Sequence, residues 1–337
     1  MHFHRTDILL ASVVAFLVTL LTAPGVIRLL REKKLGQQIR DDGPQHHLTK
    51  AGTPTMGGMV ILAGIIAGTV LYWCVEPRAI HAGVLLLALT VAVAGIGSID
   101  DWGKIRRGRS LGLRAREKFL LQCLAAGLFT AGLRYYLHLD TTIGIPGVKT
   151  PIELGWCYWP FAILFIAGMS NAVNLTDGLD GLAAGVTVAA ALALSAVAWL
   201  SGSHILPGMG PMVAAFLGCL AVACLAFLRY NRHPAQVFMG DTGSLAIGAA
   251  LAGSAMLLKQ EGLLLLIGFI FIIEVLSVII QVISFKTTGK RVFRMSPFHH
   301  HLELGGWSET QIVGRAWMLA MGLAVVGLVV FQVFHLS

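Results

Sequence analysis

The sequence predicts an all-α integral membrane protein of about ten transmembrane helices, and three observations carry that reading. Of the 337 residues, 56% are hydrophobic and only 12% are charged, about half the charge of an ordinary soluble domain. The mean hydropathy of +0.77 reflects the whole chain rather than one segment. The charge-free runs are each long enough for one bilayer crossing, which takes roughly 20 helical residues. Together these exclude a soluble enzyme, a disordered tail and a collagen-like fibre. Barrel strands would be about 10 residues long with alternating polarity, a pattern the chain lacks. Within lipid a lone segment can satisfy its own backbone only as a helix.

The spans follow in order. Residues 8–27 form the first charge-free run, 51–75 the second and 79–99 the third. Phe119 to His138 gives a fourth, in which Arg134 can snorkel from the helix end. Residues 154–176 give the fifth. The uncharged stretch 181–228 is too long for one crossing, and Ser201-Gly202 and Pro207-Gly208 divide it into two. Residues 242–258, 262–285 and 316–336 complete the set, with Glu274 the one charge inside the ninth. The whole chain, 1–337, reads as one polytopic domain. Four of its five cysteines lie inside these runs and Cys157 starts one, so all five are expected as small buried hydrophobes.

Ten spans put both termini on one side. The loops at about 28–54, 100–118, 174–180, 229–241 and 286–315 then share the opposite face, and with the adjoining helix ends they carry 20 of the 25 Lys and Arg residues. The positive-inside rule makes that face cytoplasmic and both termini periplasmic or extracellular. The net charge of +8 is thereby explained by topology, without nucleic acid as a partner. On the outer face the sizeable loop is 138–155, whose Thr141–Gly147 stretch predicts a small hairpin.

The acids are distributed less like topology signals. Asp100-Asp101 end the third span, Asp177 and Asp180 occupy the turn between the fifth and sixth, and Asp241 starts the eighth. A charge at a helix centre costs about 2.5–3.5 kcal/mol and less near the interface, so position alone does not make them functional. Asp241-Thr242-Gly243-Ser244 would also serve as a simple helix cap. Three acidic clusters on one face among many basic residues nevertheless suit a hard divalent cation with a polyphosphate. A metal-assisted phosphoryl site facing the cytoplasm is therefore expected.

Pro297-Phe298-His299-His300-His301-Leu302-Glu303 lies in the last cytoplasmic loop. Three adjacent imidazoles fan apart on a helix and alternate on a strand, so zinc is disfavoured against hydrogen bonding to phosphate or proton handling. Glu274 is a functional candidate by its place inside a span. A hydrogen bond to Gln281, seven residues on and on the same helix face, would also account for it. His46 and His47 are expected to be solvated or structural.

Several motifs together resemble a known family. They are Lys50-Ala51-Gly52-Thr53-Pro54-Thr55-Met56-Gly57-Gly58, Asp100-Asp101-Trp102-Gly103-Lys104 with Leu113 to Lys118, Asn171 to Gly181, Asn231 to Ser244, and the Pro297–Glu303 run. The set is similar to the phospho-N-acetylmuramoyl-pentapeptide-transferases of the polyprenyl-phosphate N-acetylhexosamine-1-phosphate transferase superfamily. The acidic motifs fit the whole superfamily, whereas the Thr-Pro-Thr-Met-Gly-Gly and Pro-Phe-His-His-His-Leu-Glu runs favour this branch. Trp102 stands where an aromatic, often Tyr, is usual.

The resemblance implies transfer of phospho-MurNAc-pentapeptide from UDP-MurNAc-pentapeptide to undecaprenyl phosphate, giving lipid I and UMP. It further implies Mg²⁺, a homodimer, and a multi-pass place in the bacterial inner membrane. By the same resemblance Asp241 is the Mg²⁺ ligand, Asp100 the base toward the lipid phosphate and Asp101 its support, all three counted as catalytic. Lys50, Thr55, Lys104 and Lys118 are implied substrate-phosphate or nucleotide contacts. Asn174, Asp177, Asp180, Asn231 and Gly240 belong to the substrate pocket. Phe238 would stack on uracil or, without the family context, anchor at the interface, and His299, His300 and His301 line the rim. The rival readings are a sibling enzyme using UDP-GlcNAc and a lipid or nucleotide-sugar transporter. Transporters tend to hold ionisable groups at the midplane between repeats, and neither feature is visible here.

Overall fold

The computed structural model describes residues 2–33, 52–77, 80–107, 112–148, 150–201 and 208–335. Lys50, His46 and His47 lie outside the described residues. Helices run in the order α1 (His2–Glu32), α2 (Gly58–Val75), α3 (Ile80–Arg107), α4 (Ala115–Ala131), α5 (Tyr158–Thr176), α6 (Leu182–Ser201), α7 (Met209–Asn231), α8 (Gly240–Leu257), α9 (Glu261–Ile267), α10 (Phe269–Thr288), α11 (Phe298–Glu303) and α12 (Glu309–His335). Among the described residues, eight helices are long and apolar enough to cross a membrane: α1, α2, α3, α5, α6, α7, α10 and α12. The chain is thus a multi-pass helical membrane protein.

The two remaining expected spans, α4 and α8, differ from these for separate reasons. The 17-residue α4 opens on Arg116, Glu117 and Lys118 and runs on into a π-helical turn, Gly132–Tyr136. The composition of α8 is Gly, Ala and Ser with a few large residues, and every residue from Asp241 to Leu257 is buried. Protein surrounds it on all sides, mainly α3 and α5 with α2, α7 and α9. Close packing selects small side chains rather than apolar bulk. A Cβ on Gly248 would lie 2.4 Å from the Met169 carbonyl oxygen of α5, so glycine is what allows that approach.

Three boundaries differ from the sequence reading. The ninth run is not one helix, because Gly268 separates α9 from α10. Helix α3 continues through Arg107, which places Asp100 and Asp101 inside its last turns. Helix α12 starts at Glu309 rather than near 316, behind a capping box in which Gln311 Oε1 accepts from the Ser308 N–H and Ser308 Oγ accepts from the Gln311 N–H. The cysteines also correct the expectation: Cys219 and Cys224 are buried, but Cys74 and Cys157 are exposed and Cys123 is intermediate. A residue in a membrane span can face lipid as readily as protein, so an apolar neighbourhood in sequence does not mean burial.

The 138–155 loop contains a two-stranded antiparallel ribbon, β1 (Thr142–Ile143) with β2 (Ile152–Glu153). It is latched to the α8–α9 corner. The Gly144 N–H donates to Glu261 Oε2 at 3.1 Å, and Lys259 Nζ donates to the Asp140 and Thr142 carbonyls at 2.7 and 3.0 Å. Burial pushes the Glu261 carboxyl from 4.5 up to about 7, with Lys259 opposing and Asp140 adding to the shift. The fold therefore keeps this proton over a pH range where the unfolded chain has lost it. The stabilisation is complete below about pH 4.5 and is lost as pH rises through about 7. The melting temperature is expected to fall between pH 5 and 8, by an amount equivalent to at most about 3 kcal/mol. Glu261→Gln should flatten that dependence, as thermal unfolding at the two pH values will report.

Candidate active site

The site forms where α3, α4, α5 and α8 end together. Asp100 and Lys104, one turn apart on α3, form an ion pair of 2.7 Å. Helix α8 reaches them because α3 carries glycine at 97, where a Cβ would lie 2.2 Å from the Asp241 carbonyl oxygen. Gly240 begins α8 with φ of +74°, and a Cβ there would crowd Asp101 Oδ2 and Thr55 Oγ1. Only glycine meets both demands.

The two α3 aspartates do different work. Asp101 accepts from the Asp241 N–H (3.2 Å), the Thr242 N–H (2.9 Å) and Thr242 Oγ1 (2.8 Å). It thus caps α8 from another helix, at the end where free N–H groups favour a carboxylate. The self-capping reading of Asp241–Ser244 is corrected accordingly: no side-chain cap from the segment itself is present, and the cap comes from Asp101. Asp100 keeps Oδ2 for Lys104 while Oδ1 accepts from the Leu113 N–H at 2.7 Å. Asp241 Oδ1 accepts from Asn174 Nδ2 at 2.9 Å, and Oδ2 meets Lys118 Nζ at 2.5 Å and Lys104 Nζ at 3.0 Å. Asn174 also donates to Ser244 Oγ at 2.8 Å.

Asp100, Asp101 and Asp241 are 2%, 2% and 7% exposed, and each offers a carboxylate oxygen within 4.8 Å of the others'. Three buried carboxylates facing two lysines leave one uncompensated negative charge. All-oxygen donors of that charge fit a hard divalent cation. Asp101 is engaged with the backbone of α8, whereas Asp241 Oδ2 meets only lysine ammonium groups, which can move aside for a cation. The buried acids can thus accommodate a metal ion.

Asp177 ends α5, with its N–H on the Val173 and Asn174 carbonyls. Burial raises its pKa well above the usual carboxylate range, and the charges of Asp241 and Asp101 add to the rise, so it faces the same cluster. Asp180 and Asn231 stand one step away. Asp180 Oδ2 accepts from the Ala235 N–H at 3.0 Å, and Asn231 Oδ1 accepts from the Gly181 N–H at 3.1 Å. Phe238 is half-buried and its backbone pairs with the 54–57 segment: its N–H donates to the Pro54 carbonyl and its carbonyl accepts from the Gly57 N–H, each at 2.8 Å. Thr55 lies buried in that segment beside Gly240.

The three histidines diverge. His299 is 1% exposed, with Nδ1 3.1 Å from Glu274 Oε2 and its own N–H on the same oxygen. Its Nε2 has no hydrogen-bond partner among the described residues and points at Gly178, where a Cβ would lie 2.3 Å away. His300 pairs with Glu303 at 2.6 Å. His301 Nδ1 accepts from the Arg294 N–H while its ring stacks on Phe298. The expected Glu274–Gln281 alternative is corrected too, because Gln281 binds the backbone of Val292 and Phe293 instead. Glu274 is reached by His299 across 25 residues, a pairing that no helical spacing encodes. Glu274→Ala leaves the His299 donors orphaned and is expected to cost about 1–3 kcal/mol. Glu274→Gln keeps an acceptor and should cost less, which thermal melting of the two variants will compare.

Sequence reasoning missed Glu309, Trp317 and His233. Asp180, His233 and Glu309 form a second group whose ligand atoms lie within 4.8 Å of one another. Its oxygens are already engaged: Glu309 Oε1 accepts from the Asp180 N–H at 2.7 Å, and His233 Nδ1 lies 3.2 and 3.3 Å from Asp180 Oδ2 and Glu309 Oε2. The signal that could have found Glu309 was the Ser308–Gln311 capping box, which moves the start of the last helix into the loop before residue 316.

Known proteins resemble the chain over nearly its whole length. A family model described as Glycosyl transferase family 4 matches residues 81–259, and the phospho-N-acetylmuramoyl-pentapeptide-transferase signature 1 matches residues 50–62. A phospho-N-acetylmuramoyl-pentapeptide-transferase from Pelotomaculum thermopropionicum is 50% identical over 331 residues, covering 96% of this chain and 97% of its own. Proteins of the same name from Desulfitobacterium hafniense and Bacillus subtilis strain 168 are 46% and 45% identical, over 96% and 95% of this chain and 98% and 97% of theirs.

Proposed function

The chain belongs to the phospho-N-acetylmuramoyl-pentapeptide-transferase family, and from that premise we propose how its residues carry out the family's reaction. It is a transferase that moves phospho-MurNAc-pentapeptide from its UDP carrier to a polyprenyl phosphate, forming lipid I in peptidoglycan synthesis. An oxygen of the acceptor phosphate forms a bond to the sugar-bearing phosphorus. The bridging P–O bond breaks, and UMP leaves with the electron pair. The observation that carries the assignment of the site is the meeting of Asp100, Asp101 and Lys104 of α3 and Lys118 of α4 with Asp241 of the distant α8.

Phosphoryl transfer asks mainly for positioning and charge stabilisation. Mg²⁺, the cation these oxygens suit, would neutralise the diphosphate and stabilise the departing UMP. Asp241 is the proposed ligand, oriented by Asn174. Lys104 and Lys118 supply mobile positive charge to the phosphates of donor and acceptor. Asp100 is the proposed base, its carboxylate held by the Leu113 N–H; because a phosphate's second pKa is about 6, much of the acceptor is already dianionic and the base adds modestly. Asp101 supports both by fixing the start of α8. Asp177, Asp180, Asn231, Phe238 and Gly240 are proposed for the substrate pocket, Lys50 and Thr55 for phosphate or nucleotide contacts, and His299, His300 and His301 for the rim.

The acceptor is undecaprenyl phosphate in this reading, and its head group lies at the membrane interface. A site at helix ends on the lysine- and arginine-rich face meets it there, with the soluble nucleotide-sugar arriving from the cytoplasm. Counting α4 and α8 as crossings gives ten spans, with both termini outside. The exposed stripe Leu120, Leu124 and Leu128 along α4 supports that count. The setting is then the bacterial inner membrane, and the resemblance carries a homodimer with it. Purified protein supplied with UDP-MurNAc-pentapeptide, undecaprenyl phosphate and Mg²⁺ should release UMP, and EDTA should stop it. Activity with UDP-GlcNAc instead would overturn the substrate assignment.

A further inference from the structure

We propose that Glu309 and Trp317 of α12 are positioning residues for the nucleotide-sugar, acting through the backbone of the turn at residues 177–181. The inference rests on the reading of that turn as the donor side of the site. The turn joins α5 to α6 and carries Asp177 toward the carboxylate cluster. Its own N–H groups precede the first residue of α6, where no intrahelical acceptor exists for them. Those of Asp180 and Gly181 are instead received from outside the turn. The Asp180 N–H donates to Glu309 Oε1 at 2.7 Å and the Gly181 N–H to Asn231 Oδ1 at 3.1 Å. Trp317 Nε1 donates to the Gly181 carbonyl at 3.1 Å.

The two α12 residues are matched to the turn by shape as well. Gly181 has φ of +80°, which glycine adopts freely. Gly185, one turn further along α6, would place a Cβ only 2.0 Å from Trp317 Nε1, so its missing side chain forms the slot for the indole. Glu309 and Trp317 lie about two turns apart on α12 and grip the same turn at two points. Glu309 is 8% exposed, a buried position that a mere interfacial anchor does not need. The turn is also met by His299, whose Nε2 faces Gly178. The segment is therefore fixed between α11, α12 and the loop after α7. Misplacement by about 1 Å of a residue that holds substrate can cost about a hundredfold in kcat/KM, and for a segment that binds the donor without reacting the loss falls on KM.

The test is a split between the two substrates in detergent-purified full-length protein. Glu309→Ala should raise KM for UDP-MurNAc-pentapeptide about tenfold or more, leaving kcat and the KM for undecaprenyl phosphate within about threefold. It should weaken binding of UDP, measured by calorimetry, to a similar degree. Glu309→Gln retains an oxygen that accepts from the Asp180 N–H and should restore most of the donor affinity. Trp317→Phe keeps the ring in its slot without the N–H and should raise donor KM several-fold. Equal damage from Gln and Ala at 309, or parallel changes in both substrates' KM, would mean a purely structural rivet and overturn the proposal. If Glu309→Ala does not fold, Trp317→Phe decides: a selective rise in donor KM supports the proposal and an unchanged one defeats it. If the wild-type protein itself does not bind UDP, the donor-side reading of the turn falls and the proposal with it; if wild type binds and Glu309→Ala binds equally, only the proposal falls.

Discussion

Asp241→Asn is expected to lower turnover about a thousandfold while the protein still folds and melts near the wild-type temperature. Asparagine keeps the oxygen that accepts from Asn174 Nδ2 at 2.9 Å. What it loses is the charge that Lys118 and Lys104 approach at 2.5 and 3.0 Å, and with it the donor for a divalent cation. Folding tolerates the change because two lysines then face the two remaining aspartates, a balanced set. Catalysis does not, since charge placed in advance at the reacting phosphates is worth several kcal/mol in such sites. The check is UMP release at saturating substrates together with thermal unfolding of the same preparation. Turnover close to wild type would remove Asp241 from the metal site.

The second large effect is steric. Gly97→Ala places a Cβ 2.2 Å from the Asp241 carbonyl oxygen, a backbone atom that cannot swing aside. Helices α3 and α8 must separate, which is expected to cost about 3 kcal/mol or more. The same separation pulls Asp101 from the N–H groups of Asp241 and Thr242, so kcat should drop by about a hundredfold. Gly95→Ala, two residues earlier on the same helix, meets nothing within 4 Å. It should be neutral or slightly stabilising, since alanine favours helix over glycine by about 1 kcal/mol. Measuring the pair side by side separates loss of close packing from the general effect of altering a membrane glycine. Equal behaviour of the two variants would show that the α3–α8 approach does not set the site.

The acids were legible before any fold was known, for a reason specific to membranes. Charges are rare in apolar runs, so Asp100, Asp101, Asp177 and Asp241 stand out at the span ends where a soluble sequence would have hidden them. Their company was not legible. Lys118 reaches Asp241 across 123 residues and Glu309 reaches the Asp180 N–H across 129, separations at which spacing carries no information. The cysteine expectation failed for a related reason: in a membrane span, hydrophobicity does not tell lipid-facing from protein-facing residues, and Cys74 and Cys157 are exposed. The split of the ninth run at Gly268 was missed because a single glycine interrupts a hydrophobic stretch without changing its average hydropathy.

By itself the sequence determined the membrane-helical class, the concentration of basic residues in a few loops, and the motifs that mark the family. Those depend on composition and on order along the chain, which local transfer energies and short-range spacing translate directly into structure. The tertiary structure decided which carboxylate has which task. Asp101 is taken up by the start of α8, Asp241 is left facing two lysines, Glu274 turns to His299 rather than to Gln281, and α8 is enclosed by protein. Each of those outcomes depends on which helix ends meet, and that is set by the packing of small residues such as Gly97 and Gly248 against backbone atoms far away in the chain.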